Sequence, residues 1–162
     1  MAKGWHVLYV RSRFEKKMSE HCRIRKVKHY LPLRREQKIY QRRYITVEKP
    51  LFPGYVFANI SGDARRIVLK TNFIIRIIAP DNERQLLYEL AQIRKALAVD
   101  PSLVASAKLK KGRKVRIIGG PFLGVEGTVA LMRENSKVRL NVEIIGQAVP
   151  IDVRREYLEV ID

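Results

Sequence analysis

Two short segments hold the side chains with chemistry to offer, and in both that chemistry is recognition. Leu51-Phe52-Pro53-Gly54-Tyr55-Val56-Phe57 gathers three aromatic rings about a Pro-Gly kink, where Pro fixes the approach and Gly lets the chain reset its direction. Residues 112–129, GRKVRIIGGPFLGVEGTV, set Gly112, Gly119, Gly120, Gly124 and Gly127 along a strand-forming stretch. Bond-making sets are missing. Cys22 is the single cysteine, so an internal disulfide and a thiolate metal cluster are excluded. His6, His21 and His29 are too scattered for a metal site. No nucleophile stands with a base and an acid, so neither enzymatic activity nor a metal or cofactor is expected.

Glycine-rich loops cradle phosphate when a helix follows and aims its N-terminus at the anion. Here residues 125–129 follow, and they are strand-forming, so that use is excluded. Two readings stay open for the glycines: they only shape a small barrel, or their loop also touches RNA. In either, Gly119-Gly120-Pro121 is a turn, Phe122 its hydrophobic plug and Val115 a strand position. The aromatic segment is equally open. Tyr9, Phe52, Tyr55, Phe57 and Ile77 are explicable as core, or as more apolar area than one sheet face needs, which marks a partner-binding groove.

Charge narrows the partner. The 162 residues carry a formal net charge of +17, with a pI near 10.4, a statement about association rather than fold. It is uneven: +11 over residues 1–50, +4 over 51–110 and +2 over 111–162. A polyanion should meet the N-terminal part first. No strongly amphipathic basic helix or lipidation signal favours a membrane, and no segment approaches the roughly 18 apolar residues of a span. Nucleic acid is the expected partner, and a soluble, cytoplasmic chain without a secretory signal is the expectation.

Elements must position these groups. Residues 5–11 alternate, with Trp5, Val7, Tyr9 and Arg11 on one face and His6, Leu8 and Val10 on the other, as in a strand covered on both sides. Ser12 is placed to cap a helix over 13–27, with Phe14, Met18, Cys22, Ile24 and Val27 inward and a basic outer face. Residues 30–40 and 44–49 read as two strands of a charged hairpin. Residues 55–60 form a central strand, with Tyr55 and Phe57 on one side and Val56, Ala58 and Ile60 on the other. A short helix capped by Ser61 or Asp63 runs to about 70, and a strand follows over 74–78. Asp81 or Asn82 caps a second amphipathic helix, with Leu86, Leu87, Leu90, Ile93, Arg94 and Leu97 as its stripe.

Periodicity fails over residues 99–110, near Asp100-Pro101-Ser102 and Lys108, Lys110 and Lys111, which reads as a linker. The expected division is therefore a first domain over 1–99, a linker over 100–110 and a second domain over 111–162. Strands over 114–118, 125–133, 137–145, 148–152 and 157–161 make that second domain a small barrel.

In order, Trp5-His6-Val7-Leu8-Tyr9, Phe14-Glu15-Lys16-Lys17, Pro50 through Phe57 and Gly112 through Val129 resemble the NGN domain and KOW motif of NusG-type transcription factors. The KOW stretch alone would be weak, because ribosomal proteins carry it; the aromatic Pro-Gly strand before it makes the pair specific. The resemblance implies an α+β fold: an NGN domain, mainly antiparallel sheet flanked by helices, then an all-β, SH3-like KOW barrel. It implies a bacterial elongation and antitermination factor, a monomer, whose NGN groove docks on the clamp helices of the largest RNA polymerase subunit and suppresses pausing. Carried onto this chain, the groove is Tyr9, Phe52, Pro53, Tyr55, Phe57 and Ile77. Arg11, Arg13, Lys16, Lys17 and His21 would contact DNA of the transcription bubble. The KOW domain would recruit a further partner, a small-subunit ribosomal protein or Rho. The basic first half and Leu31-Pro32-Leu33 resemble the specialised paralogues of the RfaH and polysaccharide-operon kind. In RfaH the KOW domain can become helical, whereas Val115, Ile117, Val125, Val129, Val138 and Val142 here favour a resident barrel.

The rival is a KOW-type RNA-binding ribosomal or ribosome-associated protein. It would concentrate charge in the barrel, where only +2 resides.

Overall fold

A computed structural model describes residues 3–106, 109 and 111–162; Lys108 and Lys110 of the expected linker lie outside the described residues. The elements in chain order are β1 (Trp5–Val10), α1 (Glu15–Ile24), β2 (His29–Tyr30), β3 (Leu33–Tyr40), β4 (Arg43–Pro50), β5 (Tyr55–Asn59), α2 (Ala64–Leu69), β6 (Ile74–Ile78) and α3 (Glu83–Val99). Then come β7 (Arg113–Ile117), β8 (Glu126–Val129), β9 (Asn135–Val142), β10 (Gln147–Arg154) and β11 (Leu158–Val160). The fold is α+β. By compactness the chain divides into Met1–Leu33 with Lys49–Leu87, and Arg34–Glu48 with Tyr88–Asp162.

In the first unit an antiparallel sheet runs β2-β5-β1-β6. The alternation in β1 and β5 survives because both faces are covered. Leu8, Val10, Val56, Ala58 and Ile60 turn toward Met18 and Cys22 of α1 and Val68 of α2. Each fully buried aliphatic side chain there is worth about 1.5–3 kcal/mol relative to exposure. Trp5, Val7, Tyr9, Tyr55 and Phe57 share the opposite face, since the register sets Val7 against Phe57 and Tyr9 against Tyr55.

Several boundaries differ from the sequence reading, each for a local reason. Phe14, not Ser12, is the N-cap of α1: Arg13 takes φ 67° and the Phe14 amide donates to Arg11 O, so a turn precedes the helix. Ile24, expected inward, is largely exposed at the last turn. Leu31-Pro32 separates β2 from β3, because Pro cannot donate to a ladder. Ser61 does not cap α2; its hydroxyl accepts from the Gly4 amide. The α3 cap is as expected, with Asn82 Oδ1 accepting from the Gln85 amide at 3.1 Å. The stripe of α3 is Leu86, Leu90, Ile93 and Ala96, while Leu87 and Arg94 are exposed.

In the second unit β7–β11 form an antiparallel sheet ordered β10-β9-β8-β7-β11, cored by Val115, Ile117, Val129, Val138, Leu140 and Ile151. The expected strand 125–133 is confined to β8, and 137–145 stops at Val142, where residues 143–145 make a 3-10 turn closed by Gly146 at φ 66°. Gly127 is needed at the β8–β9 pair: a Cβ there would stand 2.6 Å from Val138 Cγ1. The C-terminal part of α3 belongs to this unit. Its Gln92 side chain accepts from the Glu126 amide at 2.8 Å, and the Tyr88 hydroxyl donates to the Glu126 carboxylate.

Candidate functional site

The site begins with a locked elbow. Gly54 holds φ 91°, and a Cβ there would lie 3.0 Å from Tyr9 Cε1, so only glycine suits both the backbone and the ring beside it. The Gly54 carbonyl accepts from the Val10 amide at 2.8 Å, and the Gly54 amide donates to Glu15 Oε2 at 2.8 Å. Glu15 is itself buried. The elbow is therefore tied to both β1 and the first turn of α1.

On it stands an aromatic ridge. Tyr9 and Tyr55, opposed in register, bring their rings to 5.2 Å between centroids at 33°; both are half-buried, and Pro53 beside them is exposed. Phe52 and Phe57 do not join this accessible surface. They are 1% and 0% exposed and pack edge to face at 6.4 Å, so they form the floor. Ile77 lies on the other face of the sheet, because its register partner is Leu8; Ile78, opposite Val7, takes the ridge side. Tyr30, opposite Phe57, shares that side too.

Basic side chains lie on α1 and in the turn before it, the segment that Glu15 ties to the elbow. Arg11, Arg13, Lys16 and Lys17 are exposed, and His21 is half-buried. Lys17 Nζ rides 4.6 Å above the Phe14 ring, which packs on Phe73 at 5.0 Å. Two basic hollows in the same unit went unread in the sequence. Arg25, Lys26 and Lys28 with Asn59 and Ser61 line one of about 280 Å³; Arg65, Arg66 and Lys70 line another of about 530 Å³. The first joins separate segments, residues 25–28 and 59–67, whereas the second is local to residues 62–70 on and beside α2.

The glycine-rich loop of the second unit is shaped by one ring. A Cβ on Gly119 would stand 2.5 Å from Tyr157 Cδ1, and one on Gly120, at φ 77°, 3.2 Å from the same ring. Pro121 and Leu123 are left exposed, Phe122 is half-buried, and Gly124 takes φ 91°. Val115 is core. Gly112 and Gly127 meet neighbouring strands closely.

Among the described residues no group of three or more His, Cys, Asp or Glu is placed to hold a metal ion. His6 Nδ1 bonds to Gly4 O, and His29 to Val27 O and Ser19 Oγ. Cys22 is buried, and burial pushes its thiol up to about 11, away from the reactive thiolate.

The family model for transcription termination factor nusG matches residues 3–96, more than half of the chain. The chain belongs to the NusG family. It is similar to the transcription termination/antitermination proteins NusG of Borreliella burgdorferi, 22% identical over 98% of this chain and 99% of that one, and of Treponema pallidum, 26% identical over 98% and 99%. A solved structure of Thermotoga maritima NusG, described as a domain interaction, shares the fold at TM-score 0.50 and 22% identity, covering 100% of this chain and 99% of that one.

Within this NusG-family chain the structure brings Tyr9, Pro53 and Tyr55 together, puts Phe52 and Phe57 beneath them, and turns Ile77 away. Glu15 is another residue that sequence reasoning missed. Its only cue was its place in Phe14-Glu15-Lys16-Lys17; its partner Gly54 is 39 residues away. No helix among the described residues is long and apolar enough to cross a membrane.

Proposed function

We propose that this NusG-family transcription factor acts in elongation and antitermination, docking on the clamp helices of the largest RNA polymerase subunit through the Tyr9–Tyr55 ridge and Pro53. The observation that carries the reading is the half-exposed tyrosine pair at 5.2 Å on an elbow fixed by Glu15. A rigid aromatic pair loses little entropy on binding and is the usual anchor of a protein interface. Arg11, Arg13, Lys16, Lys17 and His21 hold the nearby DNA of the transcription bubble through its phosphates, which makes that grip salt-dependent. The loop of Pro121, Phe122 and Leu123 recruits a further partner, a small-subunit ribosomal protein or Rho. The strongly basic first half supports the specialised antiterminator kind. Division of labour follows residues 1–99, the linker 100–110 and residues 111–162.

Retention on immobilised RNA polymerase tests this. Tyr9→Ala with Tyr55→Ala should weaken retention by about tenfold or more, as loss of an interface anchor does. Phe52→Ala is unsuitable, because emptying that core site costs about 3–5 kcal/mol of stability. Retention untouched by the tyrosine pair would sink the proposal.

A further inference from the structure

The β3–β4 ribbon carries side chains that neither a core nor solubility explains. Ile39, Tyr40, Tyr44 and Ile45 are 70%, 61%, 76% and 40% exposed. β3 and β4 pair as a two-stranded sheet, and Gln41 and Arg42 between them form a two-residue turn with φ 49° and 64°, which by hairpin geometry sets Tyr40 opposite Arg43 and Ile39 opposite Tyr44. Opposed residues share a face and successive ones alternate. Ile39 and Tyr44 thus lie on one face, and Tyr40, Arg43 and Ile45 on the other, with Arg42 at the tip. Residues 33–50 hold six basic and two acidic side chains, a net charge of +4. At its base the ribbon is tied down by the Arg35 amide donating to Pro101 O at 2.6 Å.

We propose that this ribbon is a binding arm for single-stranded nucleic acid, stacking unpaired bases on Tyr40 and Tyr44 and drawing phosphates to Arg42 and Arg43. Charge selects a polyanion. Exposed rings select one that has π-faces of its own, which an acidic peptide or an inorganic polyphosphate lacks. A ring on each face selects a flexible strand able to wrap the ribbon, whereas a duplex meets one side. Stacking and charge do not read the sugar, so DNA and RNA single strands bind alike. The proposal is independent of the polymerase reading.

Anisotropy on the full chain tests it with labelled pyrimidine oligonucleotides of DNA and of RNA, a matched duplex, and heparin as a polyanion without bases. Tyr40→Ala with Tyr44→Ala should weaken both single strands by about tenfold per ring lost and leave heparin binding unchanged, while Phe at both positions retains affinity. Quenching of a 2-aminopurine base on binding should vanish in the Ala pair. Arg42→Gln with Arg43→Gln should flatten the salt slope by about 1.4, roughly 0.7 per phosphate contact. Wild-type affinity in the Ala pair, an equal fall in heparin binding, a preference for the duplex or a strong preference for one sugar would overturn the proposal.

Discussion

Glu15 shows how one side chain sets a surface it does not belong to. Its buried carboxylate takes the Gly54 amide, and through it fixes the angle at which Pro53 and Tyr55 leave the elbow. Glu15→Ala would leave that amide buried without a partner, so urea unfolding should show a loss of about 1–3 kcal/mol. Glu15→Gln, whose side-chain oxygen accepts the same bond, should recover most of it. Legibility at this scale divides by the range of the interaction. Tyr55 and Phe57 could be assigned to one face from alternation alone, yet nothing local says that Tyr55, at the strand's end, stays half-exposed while Phe57, two residues inward, is covered. Ile77 and Ile78 exchange roles for a similar reason: the pairing of Leu8 with Ile77 and of Val7 with Ile78 decides which faces the ridge, and nothing local to β6 sets that register.

Among the elements, α3 and β8 share a polar cluster whose protonation can be followed. One oxygen of Glu126 accepts from the Tyr88 hydroxyl, the other from Arg116 Nε at 2.9 Å, and Lys114 Nζ sits 4.3 Å over the Tyr88 ring. The hydrogen bond from Tyr88, and then that from Arg116, hold the Glu126 carboxyl below its ordinary range. Burial, reinforced by that carboxylate, pushes the Tyr88 phenol up. A carboxylate depressed in the folded state contributes stability that is present above its unfolded value and lost as pH falls through the folded one. Tyr88→Phe should therefore cost stability at about pH 7, and the cost, read from urea midpoints, should shrink below about pH 4. A cost that does not change with pH would contradict the role given to Glu126. The strands and helices themselves were largely legible: β6 falls on the expected residues, and α3 starts at its Asn82 cap. Turn chemistry was less so. Arg13, Gln41 and Arg42 at positive φ are positions that sequence preference assigns to Gly or Asn, so the turn that starts α1 was not legible, although the tip of the ribbon falls within the expected gap at 41–43.

For the whole molecule, the proposed function divides binding between an apolar anchor, the aromatic elbow, and the cationic field of the basic first half. The gradient was plain in the sequence, but its local shape was not, because the hollow of Arg25, Lys26 and Lys28 forms only where residues 25–28 meet residues 59–67. Under the proposed function the Tyr9–Tyr55 ridge itself touches the polymerase clamp. The direct measurement is photocrosslinking in an assembled elongation complex, with a benzophenone amino acid placed at Tyr55 in one sample and at the exposed Ile24 of α1 in another. Adducts from position 55 mapping to the clamp helices of the largest subunit, and none there from position 24, are the predicted result; adducts from position 55 that avoid those helices would contradict it.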